Sequence, residues 1–152
     1  MHQSANNRPT LTRGIKLLSL VSYGFLIFAA VWWLAVNPAI DKPAAIMVDI
    51  LDWPIDGGHD NMGRDARFFS AIGAGLVVGL CGFLLLVVIP EFQRGNRRIW
   101  RGTVIALLGW YVVDSAGCWI VGVPSNVFFN TIFFLMLLLP LWMIRNGLEA
   151  LE

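Results

Sequence analysis

The chain has 152 residues, of which 57% are hydrophobic and only 14% charged, with a net charge of +1. An ordinary soluble domain is about 45–50% apolar and about 25% charged, so this chain carries more apolar surface than a compact soluble fold of its length can hide. The composition excludes a disordered chain, a disulfide scaffold and a nucleic-acid binder, and it predicts one integral membrane domain with no separate soluble module.

The charges fall in clusters, and the gaps between them are long. The first gap, 17–36, is twenty residues without a charge. Crossing a hydrocarbon core of ~30 Å takes about 20 helical residues. That span is longer than a signal-peptide core, and no small-x-small cleavage site follows it, so it reads as a retained helix. Further spans are expected over 68–90, 102–122 and 126–144, and the third contains one charge, Asp114. Continuous apolar runs without alternation exclude barrel strands. The predicted fold is all-α: four transmembrane helices in an up-down-up-down bundle.

Between the first two spans lies an outer loop, 37–67. In it Pro43 to Trp53 holds Asp49 and Asp52 three residues apart, on one face of a short amphipathic helix that Pro54 ends. Asp56, Asp60 and Asn61 lack the alternation of a calcium loop and read as solvated loop residues. The second connection, 90–101, is short and basic, which makes the second and third spans antiparallel neighbours. The third, Val121 to Asn126, is a tight turn broken by Gly122 and Pro124 and capped by Ser125 or Asn126. Pro140 should kink the fourth span or mark its inner end.

Orientation follows from the basic residues. Arg8, Arg13 and Lys16, then Arg94, Arg97, Arg98 and Arg101, then Arg145 fall on one side, and only Lys42, Arg64 and Arg67 on the other. The positive-inside rule places both termini in the cytoplasm. Six of the seven tryptophans, all but Trp110, fall near span ends, as an interfacial belt requires.

Two stripes of small residues, Ala71, Gly75, Gly79 and Gly82 in the second span and Gly102, Ala106 and Gly109 in the third, are suited to close helix contact. They are expected to face helices within the chain, or else a second copy. Asp114 is the sharpest chemical feature. A carboxyl near the middle of a span costs roughly 2.5–3.5 kcal/mol to insert unless it is satisfied. Its expected partners are Ser115, Ser125, Asn126, Asn130, Tyr23, Ser19 and Ser22. A proton, cation or polar-ligand site would use Asp114, Asn130, Asn126 and Tyr111; the simpler reading is a hydrogen-bonded cluster joining the last two helices. The arginines Arg94, Arg97, Arg98 and Arg101 suit anionic lipid headgroups as well as topogenesis.

The absences narrow the chemistry. His2 and His59 lie outside the spans, and so do the only lysines, Lys16 and Lys42. A bis-histidine haem, an intramembrane zinc or serine protease and a retinal Schiff base have no candidate residues. Cys81 and Cys118 form no CxxC motif and read as buried apolar residues. No metal or cofactor is expected.

With Arg67-Phe68-Phe69 opening the second span, glycines along it and a basic turn after it, the chain resembles small four-helix inner-membrane proteins of bacteria. That resemblance covers architecture and implies a bacterial inner membrane; it brings no activity. Small dimeric multidrug exporters also have four helices, but they place an acid in the first, where this chain has none. The expected function is non-enzymatic: an accessory, assembly or stabilising subunit of a membrane complex, or a homo-oligomer. A small transporter or channel using Asp114 is the alternative. A lipid-modifying enzyme using Asp52, Asp60 and His59 of the outer loop is a third. Expected partners are membrane lipids and other membrane subunits.

Overall fold

A computed structural model of the chain describes residues 8–59 and 62–149. Every regular element among them is helical. Helix α1 (Arg8–Trp33) ends in a short 3-10 turn, Leu34–Val36. Helix α2 (Lys42–Leu51) lies in the loop between the first two spans. Helix α3 (Arg64–Phe83) runs through a π-helical turn, Leu84–Val88, into α4 (Ile89–Gln93). Helices α5 (Arg97–Ile120) and α6 (Pro124–Glu149) complete the chain. Four stretches, Pro9–Val36, Arg64–Gln93, Arg97–Ile120 and Pro124–Glu149, are long and apolar enough to cross a membrane. All four turn large apolar side chains outward, among them Leu20, Leu76, Ile105 and Phe128. Such exposure suits a lipid solvent.

The helices outrun the predicted spans at most of their ends, because charges delimit the apolar stretch and not the helix. Arg13 and Lys16 lie within α1, and Arg97 and Arg101 open α5. The π-turn has a local cause. Pro90 has no N–H for the carbonyl of Leu86, and its ring crowds that position. The preceding turn widens, and the N–H of Ile89 reaches back five residues to the carbonyl of Leu84. Pro140, by contrast, neither ends α6 nor marks its boundary: the helix continues to Glu149, and the proline is buried.

Helix α1 packs between α3 and α6, and α6 between α1 and α5. Buried residues of α1 (Leu11, Leu18, Ser22, Ala29) recur at heptad-like spacing, those of α6 include Asn130, Phe134, Leu137, Leu141, Ile144 and Leu148, and the two helices pack together. Gly14 lies against Ile144 and Gly147 against Leu11, while Phe25 and Phe28 meet Phe133 edge-on near the other end. The contacts run in opposite order along the two helices. Gly14, Gly147 and Gly73 are where helices come closest. A Cβ on Gly147 would stand 2.7 Å from Leu11 backbone atoms, and one on Gly73 would strike the Trp32 ring.

The expected glycine stripes behave differently. A Cβ at Gly75, Gly79, Gly82, Gly102 or Gly109 would meet no atom within 4 Å. Ala106 is exposed, and Ala71 lines an open cavity with Arg64, Arg67 and Phe68. Among the described residues no helix packs closely on these glycines, which corrects the expectation that the stripes pack helix on helix inside the chain. Nor do α3 and α5 lie side by side; they are joined at the basic turn, where α4 touches α5. One residue of a helix is about 100° of rotation. On α3 the buried stripe is Ser70, Ala74 and Cys81, and on α5 it is Thr103 and Leu107. The small residues lie one or two positions away from these and so point elsewhere.

The loop between the first two spans is folded onto the helix ends. Asp49 is buried and accepts from the N–H of Gly57 at 2.9 Å, so it is not on the solvated polar face expected of it. Arg67 ties three segments together. Its Nε donates to the Met62 carbonyl at 3.0 Å, Nη1 to the Ala35 carbonyl at 2.6 Å, and Nη2 to Asp41 at 2.7 Å. Ser125 at the start of α6 donates to the Leu51 carbonyl at 2.8 Å, which anchors the end of α2.

Candidate functional site

The polar side chains of the third and fourth spans form a ladder between α5 and α6. Asn126 Nδ2 donates to Cys118 Sγ at 3.0 Å, and Asn130 Nδ2 donates to Asp114 Oδ2 at 2.7 Å. Tyr111 Oη lies 3.0 Å from Thr131 Oγ1, whose own proton goes to the Val127 carbonyl at 2.8 Å, so the tyrosine is the donor. Its ring stacks on Phe134 at 4.9 Å. Trp100 Nε1 donates to the Leu141 carbonyl at 2.8 Å. As the α5 positions descend, the α6 positions climb, which is the register of a tight helical hairpin. The turn that sets it has Gly122 at φ +88°, a conformation that glycine adopts without steric cost.

Asp114 lies six residues before the end of α5, about 9 Å along the axis at 1.5 Å per residue. Asn130 lies the same number of residues into α6, counted from Pro124, and is 3% exposed. Of the seven expected partners of Asp114, Asn130 is the one that meets it. Ser19 and Ser22 donate to carbonyls of their own helix, Ser125 to Leu51, and Asn126 to Cys118. Tyr23 is exposed, and Ser115 Oγ is buried with no partner. Tyr111 belongs to the ladder one turn from Asp114 and bonds to Thr131, a residue the sequence does not single out.

The ladder can do little chemistry by itself. A carboxyl and a carboxamide make one hydrogen bond across two helices, which suits packing in lipid. A cavity on the α5–α6 face is lined by Arg97, Trp100, Arg101, Arg145, Leu148 and Glu149, and another by Val36 and Pro38 after α1 and by the first turns of α3. Asp114 lines neither. Among the described residues, no group of three His, Cys, Asp or Glu is placed to hold a metal ion.

In the loop between the first two spans His59 Nε2 and Asp52 Oδ2 are 3.2 Å apart. Asp60, the third residue of that expected cluster, lies outside the described residues, as do Asn61 and His2. The basic loop is divided. Arg94 pairs with Glu91, which also holds Asn96. Arg98 is exposed, while Arg97 and Arg101 line a cavity with Arg145. Arg145 is the residue sequence reasoning missed as part of this group; its signal was a lone cation beside Trp142 at the end of an apolar run.

No family model matches the chain, and neither a curated protein nor a solved structure is significantly similar to it.

Proposed function

We propose that the chain is a non-enzymatic multi-pass membrane protein that acts as an accessory, assembly or stabilising subunit, joining another membrane subunit or a second copy of itself. Four helices long and apolar enough to cross a membrane support the membrane part of this reading. The observation that carries it is the uncovered small-residue face of α3. Gly75, Gly79 and Gly82 line up along one side of a span, and among the described residues nothing lies within 4 Å of a Cβ added at any of them. In lipid, helices associate by close van der Waals packing, and small residues are what permit it. In this reading the helices run up-down-up-down in a bacterial inner membrane, with both termini cytoplasmic, as the basic residues direct.

The test is copurification from native membranes in mild detergent, followed by native mass spectrometry. A stoichiometric membrane partner or a defined homo-oligomer is the expected result, and Gly79→Leu should disrupt it while the chain stays folded. A solitary monomer would sink the proposal. Asp114→Asn addresses the transporter alternative: loss of proton-coupled transport in vesicles with folding intact would replace the subunit reading. Cysteine labelling from each side of the membrane, at Gly95 in the basic turn and Ile55 in the outer loop, checks the orientation.

A further inference from the structure

The basic end of the hairpin holds a built cavity. It has a volume of about 260 Å³ and is lined by Arg97, Trp100, Arg101, Arg145, Leu148 and Glu149. Arg97 and Arg101 are one turn apart in the first turns of α5, so they share a face, and Arg145 comes to them from the end of α6. Three arginines and one glutamate line the cavity. That carboxylate is committed: Glu149 Oε1 accepts from Arg145 Nε at 2.8 Å. Arg145 is also fixed from below, with its guanidinium carbon 5.4 Å from the Trp100 ring centre and 5.6 Å from that of Trp142. Trp100 is itself pinned by its bond to the Leu141 carbonyl. The cavity floor is therefore rigid and half apolar, Leu148 being buried, while its rim is cationic. It lies where a span ends and a basic loop begins, the depth of a lipid headgroup.

We propose that this cavity binds a phosphate group, with Arg101 and Arg145 as its principal donors, Arg97 beside them, and an anionic phospholipid headgroup as the source. Planar guanidinium forks match the oxygen geometry of a phosphate. Basic pockets between transmembrane helices are suited to anionic headgroups. An acyl chain leaving the headgroup would run down the exposed apolar side of α5, past Ile105. The site differs from a diffuse basic loop because it recruits Arg145 from another helix and leaves out Arg94 and Arg98. It rests on the cavity alone and does not need the subunit role proposed above.

The experiment is native mass spectrometry of the purified full chain exchanged into mixtures of phosphatidylglycerol and phosphatidylcholine. Parallel titrations use glycerol phosphate and inorganic phosphate. Arg101→Gln and Arg145→Gln should each reduce phosphatidylglycerol retention about fivefold, and Arg94→Gln and Arg98→Gln less than about twofold. Arg101 is exposed, so its variant keeps the test valid should Arg145→Gln misfold. Arginine-dependent retention of the lipid alone supports the headgroup as source. The same dependence seen with inorganic phosphate supports the phosphate site and assigns free phosphate as its ligand. Equal losses in all four variants, or equal retention of both lipids with no phosphate binding, would overturn the proposal.

Discussion

Asn130 donates a 2.7 Å hydrogen bond to Asp114 across the α5–α6 interface, and this pair is the central tie of the hairpin. In lipid such bonds are worth about 0.6 kcal/mol on average and up to about 1.7 kcal/mol. A double-mutant cycle with Asp114→Ala and Asn130→Ala, followed by unfolding in mixed detergent micelles, should return a coupling of about 0.5–1.5 kcal/mol. A coupling near zero would mean that the two side chains do not meet in the membrane.

Gly147 and Gly79 should respond oppositely to a larger side chain. A Cβ at Gly147 would stand 2.7 Å from Leu11 backbone atoms, whereas one at Gly79 meets nothing. Gly147→Val should destabilise the monomer by about 1–3 kcal/mol through overpacking. Gly79→Leu should leave monomer unfolding unchanged and act only on association. Thermal unfolding beside size-exclusion chromatography separates the two effects.

Arg67 holds the outer loop through three acceptors at once. The Arg67–Asp41 pair is well shielded, its side chains being 18% and 13% exposed. Lysine cannot reproduce a fork that spans three positions. Arg67→Lys and Arg67→Gln should therefore both speed protease cleavage within 37–63 by about tenfold, as local opening becomes less costly. Intact-mass analysis of a proteolysis time course reads this directly, and wild-type rates for either variant would refute the strap.

Ser125 is the link between α6 and the end of α2, through its bond to Leu51. Ser125→Ala removes a donor worth about 0.5–1.5 kcal/mol. Amide exchange should quicken across Lys42–Leu51 while the interior of α6 stays protected. Uniform acceleration of both helices would show instead that the serine supports the whole hairpin.

Much of this architecture was already written in the chain. Twenty-one charges among 152 residues, nearly all outside long apolar runs, mark four spans, because charge in hydrocarbon is costly and helices alone satisfy the backbone there. The hairpin of α5 and α6 and its Asp114–Asn130 tie were also legible, since a tight turn brings facing residues together in antiparallel order. The contacts of Gly14 and Gly147 were not, because both lie beyond the charge-delimited spans although within the helices. Arg67 reads as a topogenic charge until the chain is folded around it.

Composition and charge placement, then, determined by themselves that this chain has four apolar helices with a basic turn between the second and third, since these follow from transfer free energies that each residue carries alone. The tertiary structure decided which faces meet. It placed α1 between α3 and α6, left the glycine stripe of α3 uncovered, and brought Arg145 to Arg101 over Trp100. A helix presents every direction, and one residue of offset turns a side chain by about 100°. The choice among faces therefore belongs to packing between helices, which no single segment encodes.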